Sequence, residues 1–204
     1  MRWLGLDEAG RGAVLGPLVV GGFVVDADRI DALKTAGATD SKQLSAKRRE
    51  ALIEPLGALG TAQVIHISAA DIDAENINTL EERAFVALIR AHRPDGVIID
   101  APCHPRAIPN FTARLLAQLD HVPELVIEPK ADLNYPPCGA ASIFAKVSRD
   151  AAIHALGAVG SGYPSDPVTR GWLKDKMSED GPLPGCVRTR WGTLDVLRQG
   201  SLFY

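Results

Sequence analysis

Trp3-Leu4-Gly5-Leu6-Asp7-Glu8-Ala9-Gly10-Arg11-Gly12 is the stretch on which the fold turns. Residues 3–6 form a short apolar run closed by acids and glycines, the pattern of a buried strand. Adjacent strand residues face opposite sides of a sheet. Asp7 and Glu8 therefore serve one site only if the strand ends or bulges there, a break that Ala9-Gly10-Arg11-Gly12 can supply. Taken alone, the acidic pair reads more readily as a solvated turn than as part of a site. Two glycines around Arg11 let the backbone approach a ligand closely while the guanidinium forks onto a phosphate.

Working outward, residues 18–25, 62–67, 97–99 and 125–127 repeat the strand pattern, and 45–59, 79–92, 106–119 and 140–156 carry helical periodicity, the first with Ser45 as N-cap. Gly21-Gly22 inside the second strand marks a bulge or a close backbone approach. Strands come first and then alternate with helices, which predicts an α/β fold with a central mixed sheet flanked by helices. The chain is read as one catalytic domain over 1–204. From about residue 160 glycine and proline become denser, and residues 160–198 read as a small helical appendage.

Two further strand ends carry acids. Asp100 follows Val97-Ile98-Ile99, and Asp132 lies just past Leu125-Val126-Ile127 in Glu128-Pro129-Lys130-Ala131-Asp132. The carboxyl ends of strands are where α/β sheets collect ligands. Asp100 is also a candidate N-cap for the segment from Pro102 to Pro109, and Asp132 a candidate turn residue. Hard oxygen ligands without His or Cys suit Mg²⁺ or Mn²⁺, and two such ions can activate water and stabilise a leaving oxygen at a phosphodiester. Asp40-Ser41-Lys42, ahead of the helix at 45, offers amides, a hydroxyl and an ammonium to a phosphate, or is an ordinary capping turn. No GxGxxG and no GxxxxGK[ST] occurs, which removes support for a nucleotide cofactor.

Composition narrows the classes further. With 22 Lys and Arg against 25 Asp and Glu, the net charge is −3, so any nucleic-acid surface must be a local groove, expected around Arg11, Lys42, Lys146 and Arg149. Cys103, Cys138 and Cys186 have neither the number nor the spacing of a disulfide framework or zinc site, which favours a reducing cytoplasm. The first residues contain no basic and apolar leader and no run long enough to span a bilayer, so neither export nor membrane insertion is expected.

Asp7-Glu8-Ala9-Gly10-Arg11-Gly12, Asp40-Ser41-Lys42, Ile99-Asp100-Ala101, Lys130-Ala131-Asp132 and Ala140-Ala141-Ser142-Ile143-x-Ala145-Lys146-Val147-x-Arg149-Asp150 together resemble, in this order, the signature of ribonuclease HII. Gly160-Ser161-Gly162-Tyr163-Pro164-Ser165-Asp166-Pro167 resembles its archaeal and eukaryotic branch. The resemblance implies an RNase H-like fold and an endoribonuclease. Such an enzyme cuts the RNA strand of RNA/DNA hybrids and incises duplex DNA 5′ of embedded ribonucleotides, using two Mn²⁺ or Mg²⁺ ions and leaving 3′-hydroxyl and 5′-phosphate ends. It implies Asp7, Glu8, Asp100 and Asp132 as catalytic metal ligands. Gly10, Arg11 and Gly12 would contact the ribonucleotide at its 2′-hydroxyl, Lys42 a phosphate, and Tyr163 the sugar beyond the scissile bond. Tyr163 also reads as a turn tyrosine, and Lys146 and Arg149 as a basic helical face outside the catalytic set.

Three positions depart from the pattern. Ala13 replaces a common proline, Gln43 a second lysine, and Gly139 a serine, the last expected to loosen the start of its helix by roughly 0.5 to 1 kcal/mol. Gln199-Gly200-Ser201-Leu202-Phe203-Tyr204 resembles the short bacterial peptide that docks on the replication sliding clamp, and fits the longer archaeal form less well. The other reading is a tail that packs back on the domain. Two rival functions make different demands on the sequence. An ATP-binding relative of the RNase H-like superfamily would need glycine-rich phosphate loops, and a non-catalytic nucleic-acid binder would not need four acids.

Overall fold

The computed structural model describes residues 1–38 and 44–200. Five strands, β1 (Arg2–Ala9), β2 (Leu18–Asp26), β3 (Thr61–Ile67), β4 (Gly96–Asp100) and β5 (Glu124–Glu128), form one sheet in the order β3-β2-β1-β4-β5. The first three pair antiparallel and the β1-β4-β5 half is parallel. This is the expected mixed sheet. A short loop can join β1 to β2 antiparallel, whereas the parallel pairs need helical crossovers. The helices are α1 (Ile30–Ala36), α2 (Ala46–Gly57), α3 (Ala69–Ala74), α4 (Ile77–His92), α5 (Ile108–Ala117), α6 (Ala131–Asn134), α7 (Pro136–His154), α8 (Pro167–Ser178) and α9 (Gly192–Gly200).

Alternation along the strands sorts the core into two faces. Leu4, Leu6, Val97 and Ile99 pack with Phe85, Leu88 and Leu115 of α4 and α5. On the other side Phe23 and Val25 meet α1, α2 and α7, while Ile98 packs with Ala131 and Cys138. Ser45 caps α2 as expected, its hydroxyl accepting from the Arg48 N–H. The periodicity at 106–119 resolves into a 3₁₀ turn, Pro105–Ala107, followed by α5. Helices α1, α3 and α6 were not anticipated, since four to seven residues hold too few turns for a periodic signal. A capping box between Ser68 and Asp71 nevertheless announces α3.

Strand β1 does not end at Asp7. Its ladder with β2 runs on through Asp7↔Gly21, Glu8↔Val20 and Ala9↔Val19, without a bulge. The break comes on the other edge, where pairing with β4 reaches only Leu6↔Ile99. Beyond that register β1 is held from one side alone, and the open edge is where the acids gather.

Helix α7 comes down on bare backbone. A Cβ at Gly21 would lie 2.5 Å from the Ala141 carbonyl oxygen, so the glycine marks a close approach rather than a bulge. At Gly139 a Cβ would lie 2.2 Å from the Ala38 carbonyl oxygen and 3.0 Å from that of Asp132. Gly139 thus sits inside α7 at a contact with no room for serine, which corrects the expectation of a loosened helix start. Gly139→Ser is expected to overpack this contact, costing about 1–3 kcal/mol and lowering the melting midpoint by about 2–12 °C. An unchanged melting curve would refute the close packing.

The last part of the chain has its own apolar cluster. Leu173 of α8 and Leu194 and Leu197 of α9 pack with Val159 and Val187, and with Val14, Leu15 and Ile153 from the body. A bridge between Leu15 and Val187 ties this segment to the loop after β1. Cys103, Cys138 and Cys186 are free thiols.

Candidate active site

Asp7 near the end of β1, Asp100 at the end of β4 and Asp132 on α6 each bring a carboxylate oxygen within 4.8 Å of the others. Asp7 and Asp132 are buried and Asp100 half-buried. Asp100 builds part of this arrangement itself. Its Oδ1 accepts from the backbone N–H of Lys130 at 2.6 Å and of Ala131 at 3.2 Å, capping α6 and so fixing Asp132. Its capping role is thus real but directed to α6, since His104 caps the turn that follows β4. Asp132 is a fully buried helix residue, not a member of a loose turn.

Glu8 stands apart from this trio. The uninterrupted ladder sends it to the α4 side of β1, yet it lines the same cavity of about 430 Å³ and feels the charges of Asp7 and Asp100. Burial, then Asp7 and Asp100, push its carboxyl up to about 8. Burial, then Asp7 and Asp132, push Asp100 up to about 6. Asp7 is also raised, chiefly by burial and against the pull of Lys146, whose Nζ lies 3.9 Å from Asp7 Oδ2. Crowded hard oxygens that hold protons so readily are a donor set suited to a divalent cation.

The sign of the pH effect follows. Raised carboxyls bind more protons folded than unfolded, so the metal-free protein loses stability as pH rises from the ordinary carboxylate range toward the value of about 8 reached by Glu8. A divalent ion replaces those protons, so it stabilises more at pH 8 than at pH 5. Mn²⁺ at about 100 times its dissociation constant contributes about 2.7 kcal/mol, or about 5–10 °C in the melting midpoint. Melting curves at both pH values check this, and a larger metal effect at pH 5 would contradict the clustering of acids.

The rim is made by the loop after β1 and by α7. Gly10 has φ of 87°, and a Cβ there would meet Arg149 Nε at 2.3 Å, so both conformation and space demand glycine. Arg11 lines the cavity, but its side chain is held within the protein. Its guanidinium pairs with the buried Glu81 and with Asn78 on α4, which fixes the loop through its side chain. Ala13, in place of proline, donates its N–H to the Gly10 carbonyl at 3.2 Å, a bond that proline lacks. Arg149 is 3% exposed and lies 4.5 Å from the centre of the Tyr163 ring, so it is an internal support for Tyr163 and not a basic surface face. Arg49 pairs with Asp150 at 2.9 Å. Of the cations expected to form a basic groove, Arg11 is paired with Glu81 and Lys146 lies beside Asp7, whereas Arg149 meets the neutral Tyr163 ring and the Ser161 carbonyl, and all three line the cavity. Lys42, with Asp40, Ser41 and Gln43, lies outside the described residues.

Glu81, Ser142 and Arg188 were missed. Ser142 is buried and meets Lys146 beside Asp7. Glu81 did leave a signal, an acid on the apolar stripe formed with Ala84, Phe85 and Leu88.

The sequence pattern described as Ribonuclease HII matches residues 4–194. The chain belongs to the ribonuclease HII family. Its relatives are nuclease hydrolases of RNA/DNA hybrids that depend on divalent metal. The chain is 39% identical over 208 residues to the Ribonuclease HII of Thermococcus sibiricus, spanning 98% of this chain and 92% of that one. It superimposes on the crystal structure of the ribonuclease H2 from Pyrococcus horikoshii OT3 with a TM-score of 0.89 at 36% identity, covering 100% of both chains. The structure of the PCNA:RNase HII complex from Archaeoglobus fulgidus gives 0.86 at 38% identity, covering 97% of each. The archaeal character expected from the segment around Tyr163 agrees with these relatives.

Proposed function

We propose that this protein cuts the RNA strand of RNA/DNA hybrids and also incises duplex DNA 5′ of a single embedded ribonucleotide, leaving 3′-hydroxyl and 5′-phosphate ends. The observation that carries this reading is the convergence of Asp7, Asp100 and Asp132 within 4.8 Å beside the Gly10-Arg11-Gly12 loop. Asp7, Asp100 and Asp132 hold two divalent ions, Mn²⁺ or Mg²⁺, with Glu8 completing the ligand set. When bound, such ions activate water and stabilise the leaving oxygen. Gly10, Arg11 and Gly12 read the ribose through backbone groups, Tyr163 packs on the neighbouring sugar, and Lys42 holds a phosphate. Lys146 restrains the Asp7 carboxylate. Residues 1–204 act as one catalytic unit in the cytoplasm, with 160–198 as its helical appendage. Among the described residues no helix is long and apolar enough to cross a membrane.

The test is incision of a labelled duplex with one ribonucleotide, and of a long hybrid, with Mn²⁺, with Mg²⁺ and with chelator. Metal-dependent nicking on the 5′ side of the ribonucleotide is expected, and no cut on either substrate would end this reading.

We also propose that residues 199–204 dock on a replication sliding clamp. The support is the Gln-x-Ser-Leu-Phe pattern, together with the complex that the Archaeoglobus fulgidus relative makes with PCNA. Helix α9 runs into this segment as far as Gly200, and residues 201–204 lie outside the described residues. Burial of Leu202 and Phe203 contributes roughly 3 to 6 kcal/mol before ordering costs, so micromolar binding is expected. Calorimetry of the 198–204 peptide against clamps of both bacterial and archaeal type checks it, and absence of heat at high micromolar concentration would leave the tail without this partner.

A further inference from the structure

Arg188 is the largest fully buried side chain of the described residues, and it lies outside the cavity lining. Its position is fixed from several sides. The segment that carries it is bonded to the loop after β1 by Gly16 N–H to Cys186 O at 2.8 Å and by Arg188 N–H to Val14 O at 2.9 Å. Asp73 on α3 holds the next residues, accepting from the Thr189 N–H and hydroxyl, both at 2.7 Å, and from the Arg190 N–H at 3.2 Å. The Trp191 ring lies 5.1 Å from the guanidinium.

From this anchor the guanidinium reaches back across the chain. Nε donates to the Gly16 carbonyl at 3.1 Å and Nη1 to the Arg11 carbonyl at 2.9 Å. The second bond has a geometric consequence. In a trans peptide the C=O and the following N–H point in opposite directions. Holding the Arg11 carbonyl toward the interior therefore turns the Gly12 N–H outward. Gly12 is exposed, a Cβ there would meet nothing within 4 Å, and its N–H has no acceptor among the described residues. Glu81 and Asn78 hold the Arg11 side chain at the same time, so the plane of this peptide is set from two directions.

We propose that Arg188 is a positioning residue for ribose selectivity: by gripping the Arg11 carbonyl it aims the Gly12 N–H at the 2′-hydroxyl of the ribonucleotide to be cut. The inference rests on the reading of the Gly10-Arg11-Gly12 loop given above. Arg188 touches no substrate. Its planar fork spans two carbonyls, a task the single ammonium of lysine does not reproduce.

The experiment compares wild type, Arg188→Lys and Trp191→Leu on a duplex with one ribonucleotide, using an all-DNA duplex as competitor. Arg188→Lys is expected to lower kcat/KM for ribonucleotide incision about tenfold or more, the size of one hydrogen bond left unmade. The inhibition constant of the all-DNA competitor should not change, because phosphate contacts are untouched. Trp191→Leu removes the stacked ring and keeps every hydrogen-bonding group of Arg188. It should move kcat/KM in the same direction by severalfold, and it decides the matter if Arg188→Lys fails a melting test. Equal losses in incision and in competitor binding would make Arg188 a purely structural residue and overturn the proposal, as would unchanged kcat/KM in both folded variants. Wild type without any incision would instead overturn the functional reading beneath it, a distinguishable result.

Discussion

Asp7→Asn is expected to abolish cleavage, by about a thousandfold or more, because each ion supplies several kcal/mol of charge stabilisation in the transition state. The fold should survive. Asparagine has the same shape, and its Oδ1 can still accept from the Glu8 N–H as Asp7 does at 2.7 Å. Removing the charge also relieves Glu8 and Asp100, both of which Asp7 pushes upward, so the metal-free variant should melt no lower than wild type and should gain less from Mn²⁺. Asp100→Asn should behave alike, since an amide oxygen can still cap α6. As a candidate turn residue, Asp132 would be expected to cost less when replaced. Full burial within the same cluster revises that, and Asp132→Asn is expected to fall within about tenfold of Asp7→Asn. Single-turnover rates at saturating metal measure all three, and near-native turnover in Asp7→Asn would break the assignment.

Replacing the one ribonucleotide of a substrate duplex by its deoxy counterpart should cut incision by about 10⁴-fold or more. A site built to hydrogen-bond a hydroxyl rejects the analogue that leaves its polar groups unpaired. In the proposed site the Tyr163 ring, which lies against the buried Arg149, would be the apolar part of this discrimination. Tyr163→Ala should therefore slow incision at a single ribonucleotide more than cutting within a long hybrid, where alternative registers present ribose at every step. Tyr163→Phe keeps the ring and should retain most of the difference. Equal losses on both substrates would make Tyr163 a turn residue and nothing more.

What was legible in the sequence and what was not divides along physical lines. The strands could be read because each is a short β-branched run with punctuation at its ends, and all five lie where that pattern placed them, with edges shifted by a few residues. Three acids could be read as one cluster because each follows such a run. The manner of their meeting could not. Sequence alternation says that Asp7 and Glu8 diverge, and only the one-sided loss of pairing after Leu6 explains how both face one cavity. Arg11 and Arg149 looked like surface cations because side-chain partners distant in sequence, Glu81 and Tyr163, are invisible to local pattern. Gly139 looked like a weak helix start because the backbone of Ala38 pressed against it belongs to another helix's flank.

The bridge from Leu15 to Val187 has a consequence for synthesis on the ribosome. By the time residue 154 is made, all five strands, α7 and the clustered acids exist in the nascent chain. Arg188 follows only after a further few seconds of translation, at about 5–20 residues per second. During that interval the growing polypeptide owns its cation ligands but not the grip on its first loop. On the proposed role of Arg188, the acid cluster is thus synthesised before the residue that aims the ribose-reading loop. Chains released short of Arg188 would carry the acids yet incise ribonucleotides poorly, so on this reading the late joining of the loop after β1 to the segment around Val187 completes the enzyme.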